Sequence, residues 1–231
     1  MIERKERHAM SERAMSELLR SGPVDADVCL VLAHGAGAQM TSPYMELMAG
    51  LLAERQIAVV RFEFQYMAAR RAGGKPRPPP KAELLQDEYL AVVEKVAKDA
   101  PQGQRLVVGG KSLGGRVASL IADRAWKGGR IDGLVCLGYP FHPPGQPQKP
   151  RTAHLMEMVC PALIVQGERD PFGPRDEVEA FGLPPTIQVC WIGDGDHDFG
   201  PRGGSGFTRK GNLTVAADAV AHFVANLQSG D

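Results

Sequence analysis

The sequence predicts an α/β fold, a mostly parallel sheet with helices on both faces. Three observations carry that expectation. Short apolar runs bounded by turn residues recur along the 231-residue chain. Segments with helical spacing lie between them, and the runs are continuously apolar, as strands buried on both faces are, rather than alternating. Strand, helix, strand in repetition requires right-handed crossovers and a parallel sheet.

In chain order, the expected strands are 28–33, 57–62, 106–108, 134–137, 163–166 and 187–192. The expected helices are 43–54, 82–98, 114–126, a short one at 176–181, and 215–227. The second helix is the clearest: Leu84, Leu85, Tyr89, Val92, Val93 and Val96 fall at near-helical intervals, with charges opposite. Residues 1–24 read as an N-terminal segment forming either a helix or an extra edge strand, ahead of a main domain over 25–231. Three stretches read as loops at the strand ends: the Pro-rich 70–80 and 139–150 and the Gly-rich 200–211. Sheets of this kind place their sites at the carboxyl ends of the strands, so these loops are the expected rim of a pocket.

Composition narrows the function. With 27 Lys+Arg against 27 Asp+Glu, the chain has no global field to hold nucleic acid or an anionic membrane. No run approaches a membrane span and the N-terminus lacks the apolar stretch of a signal peptide, so the expectation is a cytoplasmic protein. Cys29, Cys136, Cys160 and Cys190 lie far apart, in or beside apolar runs, and read as reduced core residues.

The chemistry begins at Gly110. Residues 105–116, RLVVGGKSLGGR, run from an apolar strand through Gly110-Lys111-Ser112-Leu113-Gly114 into a helix. This is G-x-S-x-G in the strand-turn-helix context that lifts a serine hydroxyl above the strand ends. The phosphate-loop alternative fails because the glycine it needs five residues before Gly110 is Arg105. Gly35-Ala36-Gly37 is not a dinucleotide fingerprint either, because Met40 stands at the third glycine's place. No cofactor and no metal is expected.

A serine hydroxyl needs a base, and the base needs an orienting acid. His197 follows the strand ending at Ile192, and Asp170 follows the strand at 163–166, with Glu168 as the local alternative acid. Asp194, Asp196 and Asp198, close to His197 in sequence, read as turn-forming residues. The order Ser112, Asp170, His197, each just past a strand, is that of the α/β-hydrolase triad. The strand at 28–33 leads into His34-Gly35-Ala36-Gly37, where a glycine turn aims amides into the pocket. The backbone N–H groups of Ala36 and Leu113 are therefore the expected oxyanion donors.

HGAGAQMTSPYM, VVGGKSLGGRVAS, LGYPFHPPG, QGERDPFG and GDGDHDF together resemble a small α/β-hydrolase family. It includes bacterial dienelactone-hydrolase-like proteins, the hydrolase-like domain of a eukaryotic histone-acetyltransferase complex subunit and a testis-expressed relative. The resemblance spans nearly the whole chain and implies Ser112, Asp170 and His197 as the triad. Dienelactone hydrolases themselves carry a cysteine where this chain has Ser112.

The resulting expectation is a serine hydrolase of the α/β-hydrolase fold without a substantial lid, acting on a carboxylic ester or thioester of a small molecule. A non-catalytic interaction module and a serine peptidase or acyltransferase of the same fold are the alternatives. Gly35, Gly37, Arg70, Lys111, Tyr139, His142 and Phe172 are the expected substrate-binding residues, with the basic stretch Arg70, Arg71, Lys75, Arg77 and Lys81 offering recognition of an anion. Neither nucleic acid nor membrane is an expected partner; a homodimer through strand pairing or the N-terminal segment stays open.

Overall fold

The computed structural model describes residues 17–75 and 78–227. Seven strands form one sheet: β1 (Leu19–Ser21), β2 (Val28–Ala33), β3 (Ala58–Phe62), β4 (Arg105–Lys111), β5 (Gly133–Leu137), β6 (Ala162–Gly167) and β7 (Ile187–Ile192). Their order across the sheet is β1-β3-β2-β4-β5-β6-β7. Among the described strands only β1 is antiparallel, pairing with β3 at the edge. It settles the edge-strand alternative for residues 19–21; residues 1–16 of the expected N-terminal segment lie outside the described residues.

Six α-helices are described: α1 (Pro43–Ala53), α2 (Gln65–Arg71), α3 (Gln86–Asp99), α4 (Leu113–Lys127), α5 (Arg175–Ala180) and α6 (Arg209–Ala225). The continuous apolarity of β2 has a direct cause. Val28, Leu30 and Leu32 pack on one face with Met45, Met48 and Leu52 of α1 and Val220 and Phe223 of α6. Cys29, Val31 and Ala33 pack on the other with Tyr89, Val93 and Val96 of α3 and Val117 and Ile121 of α4. Cys29, Cys136 and Cys160 are buried and free, whereas Cys190 is only half-buried on the outer strand β7.

Several expectations need correction. The segment expected as one helix over 82–98 is a 3-10 turn at Ala82–Leu84 followed by α3, broken at Leu85, and Leu84 points outward with 72% exposure. The α6 helix starts at Arg209, inside the expected 200–211 loop, because the Thr208 hydroxyl accepts the Gly211 N–H at 3.0 Å and caps it, a contribution of about 1 kcal/mol. Helix α2 takes Arg70 and Arg71 out of the expected 70–80 loop. The β5–β6 connection, 138–161, contains no helix and forms no lid.

The chain leaves β2 toward β3 on one side, while β4 lies on the other. That reversal opens a crevice outside the carboxyl ends of β2 and β4. Ala33 and Gly110 are register partners there, so the loop after β2 and the turn after β4 face each other across it.

Candidate active site

Ser112 sits between β4 and α4 with φ 51° and ψ −113°. A non-glycine residue in that region costs about 1–3 kcal/mol, and the packing around it holds the strain. A Cβ on Gly110 would lie 2.4 Å from the Gly114 carbonyl carbon, and one on Gly114 would lie 2.6 Å from the carbonyl oxygens of both Ala33 and His34. Both glycines are thus required by close backbone approach. The Ser112 N–H donates to the Leu137 carbonyl at 3.0 Å, fixing the turn to β5. Leu113, as the first helical residue, has an N–H with no acceptor inside its helix.

His197 follows β7 and Asp170 follows β6. The imidazole Nδ1 lies 2.7 Å from Asp170 Oδ2. The carboxyl is fully buried, with His197 more open at 22% side-chain exposure. The other carboxylate oxygen accepts the Phe172 N–H at 2.9 Å, and Gln166 Nε2 donates to Oδ2 at 3.0 Å. Gln166 is itself buried and pinned by the Tyr139 N–H, which donates to its Oε1 at 2.8 Å. It was not among the expected site residues; its signal is a lone amide closing the apolar run of β6. The Phe172 ring lies against His197, with centroids 4.3 Å apart. With Nδ1–H donating to the carboxylate, Nε2 is free to take a proton.

Glu168, the alternative acid, faces elsewhere: it accepts the Asp194 N–H at 2.9 Å and pairs with Arg175 at 3.0 Å. Arg202 and Arg169 hold Asp194, and the Arg202 hydrogen bonds push its carboxyl down to about 2. Asp196 accepts the N–H groups of Asp198 and Gly200 within its turn. Among the described residues, no His, Cys, Asp and Glu cluster could hold a metal ion.

The loop after β2 is locked from behind. His34 Nε2 accepts the Phe64 N–H at 3.2 Å, leaving Nδ1 to donate to the Gly35 carbonyl at 2.6 Å. Burial pushes the His34 imidazole below its ordinary value and keeps it neutral for this arrangement. Tyr66 Oη donates to the Ala36 carbonyl at 3.2 Å. In a trans peptide the N–H points opposite the C=O, so holding the Gly35 carbonyl on the buried His34 ring turns the Ala36 N–H the other way.

A cavity of about 530 Å³ opens over these groups, lined by Gly35, Ala36, Gly37, Lys111, Ser112, Phe172 and His197 together with Tyr44, Asp198 and Arg209. Other expected substrate residues lie elsewhere. Tyr139 is buried with its hydroxyl donating to the Arg151 carbonyl at 2.9 Å, and His142 is buried with Nε2 2.9 Å from Glu177. Arg70 is exposed on α2 and does not line the cavity. Its neighbour Arg71 is paired with Glu63 and Glu17, and Arg77 lies outside the described residues.

Lys111 lines the cavity but is not a free cation. Its ammonium donates to the His197 carbonyl at 2.7 Å, pairs with Asp198 at 3.2 Å and sits 5.4 Å from the Tyr44 ring centroid. Burial pushes it below the ordinary lysine value, while Asp198 and Asp170 pull the other way.

Comparison with known proteins agrees with this architecture. The family described as an alpha/beta hydrolase domain matches residues 26–225. A serine hydrolase homologue from Coxiella burnetii is similar, with 20% identity, coverage of 91% of this chain and 90% of that one, and a TM-score of 0.65. A Xanthomonas campestris serine hydrolase described as lacking a lid shares 20% identity over 93% of this chain and 90% of its own, with a TM-score of 0.62. Dienelactone hydrolase from Anabaena variabilis shares 19% identity over 91% of each chain, with a TM-score of 0.67. At these identities the structural likeness speaks for the fold, and the match across residues 26–225 speaks for the family. The chain belongs to the alpha/beta hydrolase domain family.

Proposed function

We propose that the protein is a serine hydrolase cleaving a carboxylic ester or thioester of a small substrate, with Ser112 as nucleophile, His197 as base and Asp170 as the orienting acid. The observation that carries this reading is the 2.7 Å contact of His197 with a fully buried Asp170, beside a cavity that His197 shares with a strained Ser112. A buried carboxylate on Nδ1 fixes the tautomer and stabilises the imidazolium that forms.

His197 Nε2 takes the Ser112 proton as Oγ attacks the carbonyl carbon. The oxyanion receives hydrogen bonds from the N–H groups of Ala36 and Leu113, each worth about 2.7–4 kcal/mol in the transition state. Collapse breaks the bond to the leaving group, which takes the proton from His197 and departs. Water then gives a proton to His197 and attacks the acyl-serine; collapse breaks the bond to Ser112 Oγ, which takes the proton back from His197 as the acid departs. The helix-free 138–161 connection leaves the cleft open, which suits small or protruding acyl groups.

A fluorophosphonate probe tests this directly. The wild type becomes labelled and Ser112→Ala does not. A folded wild type that resists labelling, or a Ser112→Ala variant that still labels, sinks the proposal.

A further inference from the structure

The cleft continues past Ser112. A second lobe of about 350 Å³ shares Ala36, Ser112 and Phe172 with the first and adds Leu113, Lys81, Arg116 and Arg151. Among the described residues neither His197 nor any acidic residue lines it. Arg116 gives one terminal nitrogen to Glu83 at 2.6 Å, but its buried Nε has no hydrogen-bond partner among the described residues. Arg151 is held by its main chain: its N–H donates to the Phe141 carbonyl at 2.7 Å, and its carbonyl accepts the Tyr139 hydroxyl at 2.9 Å. Its guanidinium has no ion-pair partner among the described residues. Burial and the neighbouring Arg116 push that guanidinium below its ordinary value, while Tyr139 and Glu83 act in the opposite direction.

Three separate stretches of chain thus bring positive charge to one small concavity beside the nucleophile. Gathering like charges in a partly desolvated place is unfavourable, and a bound anion relieves it. A planar guanidinium presents paired donors that match a carboxylate. The side of the bond that faces this lobe follows from the proton inventory. The departing alcohol takes its proton from His197, which lines only the first lobe, so the acyl group remains over the second.

We propose that the second lobe binds a carboxylate at the far end of the acyl chain, making half-esters or half-thioesters of short dicarboxylic acids the preferred substrates. Arg151 and Arg116 hold the carboxylate, and Lys81, exposed at the rim, attracts it. The acyl-chain part of this assignment rests on the serine hydrolase reading; the anion site does not.

The test compares p-nitrophenyl hemiglutarate with p-nitrophenyl pentanoate, which share alcohol and chain length and differ in the terminal charge. The ratio of their kcat/KM values is expected to favour the hemiglutarate by about ten-fold or more, one charge-assisted contact's worth. It falls toward one in Arg151→Ala, recovers in part in Arg151→Lys, and falls less in Lys81→Ala. In parallel, calorimetry measures glutarate binding to Ser112→Ala with and without Arg151→Ala. A ratio at or below one in a wild type that labels with fluorophosphonate, or glutarate binding indifferent to Arg151, overturns the proposal. Arg151-dependent glutarate binding by a protein that does not label sinks the hydrolase reading and leaves the anion site standing.

Discussion

In the lobe beside His197, the buried ammonium of Lys111 is matched by Asp198 and by the His197 carbonyl. In the lobe beside Leu113, Arg116 has Glu83 on one nitrogen, and Arg151 makes no ion pair among the described residues and feels Glu83 only at longer range. The first cation is committed to holding the loop that carries the base. The second pair is left with donors to spare. Nearness to the nucleophile therefore does not by itself mark a substrate-binding charge: what separates the two is whether the fold has already used the donors.

The largest expected effect lies in the first lobe. Lys111→Met removes the donor that fixes His197, and a displacement of about 1 Å at a reacting group costs on the order of a hundred-fold. We expect kcat to fall by about ten- to a hundred-fold with KM nearly unchanged. Stability should change little, because Asp198 is 58% exposed and resolvates, and a desolvated ammonium is removed. Steady-state kinetics beside a thermal melt checks this. A fall confined to KM would make Lys111 a substrate-binding residue after all and erase the contrast between the lobes.

A smaller effect reports the charge of the second lobe from behind. His154 hydrogen-bonds Ser119 Oγ at 2.8 Å, and its imidazole is pushed down to about 4 by burial and then by Arg116, with Asp123 and Glu83 acting in the opposite direction. The unfolded chain titrates near the ordinary histidine value of about 6.5 and binds more protons below it than the folded protein does. The stability contributed by the neutral His154 is thus complete above about pH 6.5 and is lost as pH falls toward about 4. After allowance for solvent screening this amounts to about 1 kcal/mol. NMR titration should find His154 near pH 4 and higher in Arg116→Gln; a value unmoved by Arg116→Gln would mean that the lobe's charge is screened.

Elements whose whole length is apolar were legible in the sequence. The bounds of β2, apolar throughout, match the expected run, as do those of β7, whose one polar residue is the exposed Gln188. The β4 strand extends to Lys111, three residues past the expected end, because Gly109, Gly110 and Lys111 resemble a turn although all three are buried. Helix α2 was missed because it buries only Met67 of its seven residues and so shows no apolar face. The candidate triad was legible for a different reason: each member follows a strand, so local sequence sets its place. Gln166 and the basic lobe were not legible in that way. One is a single amide at a strand end. The other gathers Lys81, Arg116 and Arg151 from stretches whose meeting depends on the assembled sheet.

In the proposed reaction Ser112 carries the acyl group during turnover. Acid-quenching the wild type during turnover of p-nitrophenyl hemiglutarate, followed by intact-protein and peptide mass spectrometry, tests it most directly. The expected result is one glutaryl group per chain, on the peptide containing Ser112 and absent from Ser112→Ala. Release of p-nitrophenol with the acyl group on another residue, or undiminished turnover by Ser112→Ala, would contradict it.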